Sequence, residues 1–253
     1  MEQLIVDLLK KLELEHHIRI VYACQAGSRL FGTETDESDH DVCFIYLRPV
    51  RHYLVIEPFQ QTITATDPDG NIELQGWDIM KALQLCRKSN PSLYEWFMSP
   101  HVYLKDEQFY HEMKNIICTY YSLKTLYCHY RSLALRNLNE LKKKNRVDKS
   151  CVKIYIQALR GALMMRWIEK YQSLPPIELN KLADGNETME RLINKLISGK
   201  VRYDEQVFDL DESIIHELVG LDVKSNIMME LEKKEKRIKA NQLNELLWLF
   251  LGI

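Results

Sequence analysis

The chain has 253 residues, of which 46% are hydrophobic and 28% charged, with a formal net charge of -2. That length and apolar fraction suffice for a sizeable core and for two domains. The near-neutral balance excludes a protein drawn to nucleic acid or to an anionic membrane by its overall charge, so any polyanion site has to be local.

In chain order, MEQLIVDLLKKLELEHH reads as an amphipathic helix from Glu2 to His16, lacking the basic start, apolar centre and cleavage site of a signal peptide. IRIVYACQ follows as a β-branched strand ending at Ala26-Gly27-Ser28, and VCFIYL, from Val42, as a second buried strand. QTITATDPDGNIELQG gives two alternating segments around Asp67-Pro68-Asp69-Gly70, which is hairpin turn chemistry. After Gly76 the pattern becomes helical: WDIMKALQLCRKS places Ile79, Leu83 and Cys86 at helical spacing. Asn90 and Pro91 start another helix, over SLYEWFMS, as N-cap and first helical residue.

From Glu107 onward the periodicity is almost wholly helical, with breaks at Asn145 to Asp148, Leu174 to Pro176 and Asp184 to Glu187. The predicted architecture is an α/β domain over 1–104 followed by an α-helical domain over 105–253. Six scattered cysteines, Cys24, Cys43, Cys86, Cys118, Cys128 and Cys151, form no C-x-x-C pair and read as buried thiols. The apolar run LLWLFLGI is too short to span a bilayer, and the stripe of NQLNELLWLFLGI fits core packing or a homodimer contact. These features predict a cytoplasmic protein with no membrane partner.

The stretch GSRLFGTETDESDHDVCFIYL, Gly27 to Leu47, carries the chemistry. Strand side chains alternate, so Asp39 and Asp41 project to one side, close enough to share a cation. Paired carboxylates are hard-oxygen ligands suited to magnesium, which takes its remaining ligands from water and substrate phosphates. Gly27 after a strand lets the backbone approach a phosphate, the Ser28 hydroxyl and main-chain N–H groups can bond its oxygens, and Arg29 can add a charge. His40 alternates to the opposite side and reads as structural.

GSRLFGTETDESDHDV resembles the signature of nucleotidyltransferases of the DNA polymerase beta superfamily, in the branch that includes RNA-ligase-associated members. The resemblance extends to GWDIMKALQLCRKSNPSLYEWFMSP, HYRSLALRN and VKIYIQALRGALMMRWI, as far as LPP at Leu174 to Pro176. It implies a small mixed-sheet nucleotidyltransferase domain in which the Gly-Ser turn holds the phosphates of a nucleoside triphosphate such as ATP. It also implies that Asp39 and Asp41 bind two magnesium ions, with manganese as a substitute, for in-line displacement and release of pyrophosphate. Such enzymes take a third carboxylate from a later strand. Glu73 in NIELQG is the first choice and Asp78 the alternative, the latter also reading as a helix N-cap.

In the helical half, spacing puts Lys153 and Arg160 on one helical face with Arg166 at its edge, and the resemblance implies that such cations and Tyr155 bind the nucleotide; a solvated stripe is the alternative for the cations. Lys88 and the run KKKNR at Lys142 to Arg146 are basic but read first as solvated. The expected acceptor is an RNA end, then a protein hydroxyl, then a small molecule. The reading from another class is a catalytically silent nucleotide-binding module.

Overall fold

The computed structural model describes residues 1–144, 148–201, 211–220 and 225–253. Its elements run α1 (Glu2–His16), β1 (Arg19–Gln25), α2 (Gly27–Leu30), β2 (His40–Leu47), β3 (Thr62–Thr66), β4 (Ile72–Asp78), α3 (Ile79–Arg87), α4 (Pro91–Phe97), β5 (Val102–Lys105) and α5 (Glu107–Tyr120). They continue with α6 (Leu123–Leu141), α7 (Lys149–Tyr171), α8 (Glu187–Val201), α9 (Glu212–Val219), α10 (Ser225–Lys233) and α11 (Ala240–Leu251). Asn145 and Arg146 of the basic run lie outside the described residues.

The residues group into two compact units. One comprises 1–30, 37–121 and 236–253, and the other 31–36 and 122–235. The sequence suggests a single cut between 104 and 105; the observed grouping differs because packing, not chain order, defines a unit. Tyr110 of α5 stacks on Tyr22 of β1 at 5.8 Å, and Phe250 of α11 meets Phe109 edge-on at 5.2 Å, which ties both helices to the sheet-bearing unit.

The sheet has the order β3-β4-β2-β1-β5 and is mixed: β2 and β4 are parallel and the other pairs antiparallel. The hairpin forms around Asp67, whose carboxylate accepts from Ile72 N–H at 2.7 Å. One face of the sheet buries Ala23, Val42, Phe44, Ile72 and Leu74 against Ile5, Leu9 and Leu12 of α1. On the other face Tyr22 stacks on Phe97 at 4.5 Å and donates its hydroxyl to Trp96 O. With both faces of the central strands buried, β1 and β2 read in sequence as apolar runs without alternation.

Helix starts follow local chemistry. Asn90 caps α4, with Pro91 at the first helical position, and Asp78, Asp106 and Ser122 cap α3, α5 and α6. Strand β5 lies in a stretch that sequence reading treats as the boundary, since four residues are too few for a periodic signal. The six cysteines are free; Cys24, Cys43, Cys86 and Cys151 are buried, whereas Cys118 and Cys128 are exposed.

In the helical unit α6 and α7 form the central pair. A Cβ added at Gly161 of α7 would stand 2.7 Å from Tyr130 O and 2.9 Å from Ala134 N on α6, so this glycine sets how closely the two backbones approach. Gly161→Val is expected to destabilise the protein by about 1–3 kcal/mol through overpacking. Urea denaturation should show this as a lower midpoint at unchanged slope.

Candidate active site

The site lies at the end of β1 and the start of β2. Gly27 has φ +62, and a Cβ built on it would fall 1.6 Å from Oδ2 of Asp41. The space that any other residue would fill with its side chain is therefore held by the Asp41 carboxylate, and the left-handed backbone adds a second reason for glycine. Ala26 N–H donates to Asp41 O at 2.7 Å, locking the turn to the strand that bears the carboxylate.

Asp41 and Glu73 are direct register partners on the parallel strands β2 and β4. Neighbouring strands lie about 4.8 Å apart, and register partners project to the same face. Burial, then the charges of Glu73 and Asp39, push the Asp41 pKa above the usual carboxylate value. Asp39 and Glu73 are exposed and Asp41 is half-buried.

Asp39 sits just ahead of β2 in a segment held by Arg29, whose guanidinium donates to Ser38 O at 2.8 Å and to Asp39 O at 3.4 Å. Ser28 follows Gly27 in the short helix α2. Asp78 is at the other end of β4, in register with Tyr46, five positions beyond Glu73. Its carboxylate is buried, caps α3 through Met80 N–H at 2.9 Å and accepts from the Tyr53 hydroxyl at 3.0 Å. Of the two candidates for a third carboxylate, only Glu73 adjoins Asp41.

The remaining candidates belong to the helical unit. Lys153 is exposed; Tyr155 is buried and donates its hydroxyl to Asp211 O at 2.7 Å. Arg160 is buried, bonds Gln157, and lies over the ring of Phe31 at 3.8 Å. Arg166 pairs with Glu169 and donates to Glu217 O.

Sequence reasoning missed Gln25. It is 2% exposed, and its side chain meets Asp41 O, Ala26 O, His40 and Tyr103. The available signal was a lone amide closing an apolar strand, a group that burial obliges to find partners.

Among the described residues, no group of three or more Asp, Glu, His or Cys side chains is gathered closely enough to cage a metal ion alone. The donor set nonetheless fits magnesium, which usually keeps several waters and is bound through one or two carboxylates together with substrate phosphates.

A mixed sheet with this turn, and with carboxylates facing each other across its parallel strand pair, has the character of a polymerase beta-type nucleotidyltransferase domain. The model of the RNA repair pathway DNA polymerase beta family matches residues 1–248, and the chain belongs to that family. It is 30% identical over 251 residues to the uncharacterized protein YcgL of Bacillus subtilis (strain 168), covering 98% of this chain and 95% of that one. A nucleotidyltransferase-like protein from Exiguobacterium sibiricum 255-15 aligns in structure with a TM-score of 0.34 at 10% identity, over 90% of this chain and 74% of that one. No helix among the described residues is long and apolar enough to cross a membrane.

Because the folded-state pKa of Asp41 is raised, the native protein holds that proton more tightly than the unfolded chain does. The stability this contributes is present at acid pH and is lost as pH rises through the raised pKa. Asp41→Asn should therefore melt at a higher temperature than the parent at pH 7 without metal, with the difference shrinking as pH falls into the ordinary carboxylate range. Added magnesium should stabilise the parent more than the variant.

Gly27→Ala tests the geometry separately. With its Cβ 1.6 Å from Asp41 Oδ2, the variant must displace the carboxylate. A loss of about 1–3 kcal/mol in stability, read by urea denaturation, is expected.

Proposed function

We propose that the protein transfers a nucleoside monophosphate from a nucleoside triphosphate to an acceptor hydroxyl at an RNA end, with magnesium held by one or two of the carboxylates of Asp39, Asp41 and Glu73 together with the substrate phosphates. The observation that carries this reading is the packing of the Asp41 carboxylate into the empty side-chain position of Gly27, beside Glu73. It puts the carboxylates against the turn that would receive phosphates. Membership of an RNA repair pathway family supports RNA as the acceptor.

In this reading Gly27 gives the triphosphate access to the backbone, and Ser28 offers its hydroxyl and main-chain N–H. Arg29 holds the Asp39 segment through the carbonyls of Ser38 and Asp39 and adds positive charge beside the phosphates. Bound magnesium would supply charge neutralisation and a lower pKa for the attacking hydroxyl. The acceptor hydroxyl gives up its proton to solvent, its oxygen attacks the α phosphorus, the bond to the bridging oxygen of the β phosphate breaks, and pyrophosphate leaves with that electron pair. Asp78, Tyr155 and Arg160 serve the fold: their polar groups are taken up by a helix cap, a carbonyl, and the Gln157 and Phe31 contacts.

The test is incubation of the purified protein with each α-labelled nucleoside triphosphate and magnesium, offering total RNA, whole-cell protein extract or no acceptor. Asp39→Asn with Asp41→Asn is the control. Label on RNA that requires both aspartates is the expected result. Label on protein would move the acceptor to a protein hydroxyl, and no label with any acceptor would turn the reading toward a nucleotide-binding module without turnover.

A further inference from the structure

Gln25 uses its whole hydrogen-bonding capacity within one network. Its Nε2 donates to Ala26 O at 3.0 Å and to Asp41 O at 2.9 Å. Its Oε1 accepts from the Tyr103 hydroxyl at 2.6 Å and lies 3.1 Å from His40 Nδ1. With Nδ1 of His40 protonated, both amide protons and both carbonyl lone pairs are satisfied, and the orientation of the amide follows from its neighbours.

The partners belong to two strands, β2 and β5, and to the turn. Asp41 lies on β2, His40 precedes it, Tyr103 lies on β5, and Ala26 leads directly into Gly27. The backbone of Gln25 joins in: its N–H donates to His101 O at 2.9 Å, and its carbonyl accepts from the Ser99 hydroxyl at 2.7 Å. Asp41 O consequently receives two hydrogen bonds from the residues before Gly27, one from Ala26 N–H and one from Gln25 Nε2. One main-chain bond would fix only part of the strand-to-turn geometry, whereas the second, from a buried amide, resists rotation about the first.

We propose that Gln25 is a positioning residue: its side-chain amide fixes the spacing between the Gly27 turn and Asp41, so that phosphate-receiving backbone and metal-binding carboxylate are held as one unit. The inference rests on the nucleotidyl-transfer reading of this site. Gln25 touches neither nucleotide nor metal, and acts through the peptide groups of Ala26 and Asp41. Orienting partners of this kind contribute about 10- to 100-fold to metal affinity or activity in metal sites.

The decisive variant is Gln25→Glu, which keeps the shape and the acceptor oxygens toward Tyr103 and His40 but, when ionised, donates to neither Ala26 O nor Asp41 O. Gln25→Asn, with the amide drawn back by one methylene, is the second variant should the first fail to fold. Thermal melts establish folding, titration calorimetry reads manganese affinity without turnover, and labelling at varied metal and nucleotide gives kcat and KM separately. The expected result is a folded variant with manganese affinity and kcat each about 10- to 100-fold lower and a smaller change in KM. A purely structural residue would lower the melting temperature while leaving the metal dependence of the folded protein unchanged.

A folded variant with parental manganese affinity and kcat, measured beside an active parent, overturns the inference and leaves the proposed function standing. A parent that binds manganese but labels no acceptor counts against the proposed function, while the manganese affinities of parent and variant still decide the role of Gln25. A parent that neither binds manganese nor labels anything overturns both.

Discussion

The site depends on one close approach, a carboxylate seated where a side chain would otherwise be. Asp41 fills the Cβ position of Gly27, and Glu73 faces it across a parallel strand pair. Bringing like charges together is unfavourable, and burial of Asp41 adds to the cost. The arrangement persists because sheet register, not the carboxylates, decides where those side chains go. Phe44 and Val42 on β2, with Ile72 and Leu74 on β4, bury the opposite face against α1. A slip by one residue would turn that apolar set to the face that bears the carboxylates. The hydrophobic face thereby supplies the free energy that keeps the acidic face strained.

Much of this was legible in the sequence. The Gly-Ser and Asp-x-Asp motifs, the Asp67–Gly70 hairpin and the Asn90-Pro91 helix start all depend on residues close together in the chain, and the hairpin and the helix start form as expected. Local chemistry dictates them directly. The choice between Glu73 and Asp78 as neighbour of Asp41 was not legible, because it depends on how β4 aligns with β2, a pairing between segments thirty residues apart. Periodicity allows both residues a functional face. Only the register puts Glu73 opposite Asp41 and leaves Asp78 as a cap at the far end of the strand.

Three further features were hidden for related reasons. Gln25 is a single polar residue at the end of an apolar run, and its value lies in partners drawn from two other strands, β2 and β5, and from the turn. Lys153 and Arg160 stand seven residues apart, so spacing puts them on one helical face, yet the helix exposes the first and buries the second, and it buries Tyr155, which only the resemblance adds to them. The division into units was obscured because α5 and α11 carry the same helical signal as α6 to α10; what distinguishes them is the surface they cover.

The interleaving of the two units bears on how the protein is made. Leu83 of α3 is buried, and Leu243 and Leu247 of α11 adjoin it, although translation places most of the helical unit between the two helices. At ribosomal speeds of roughly 5–20 residues per second, α3 waits on the order of ten seconds before α11 emerges. During that interval the nascent chain carries α3 without its α11 cover, while residues 122–235 of the helical unit are being synthesised. The cover of α3 in the α/β unit is therefore added only after residues 122–235, although β1, β2 and β4, which carry the turn and the carboxylates, precede them in the chain.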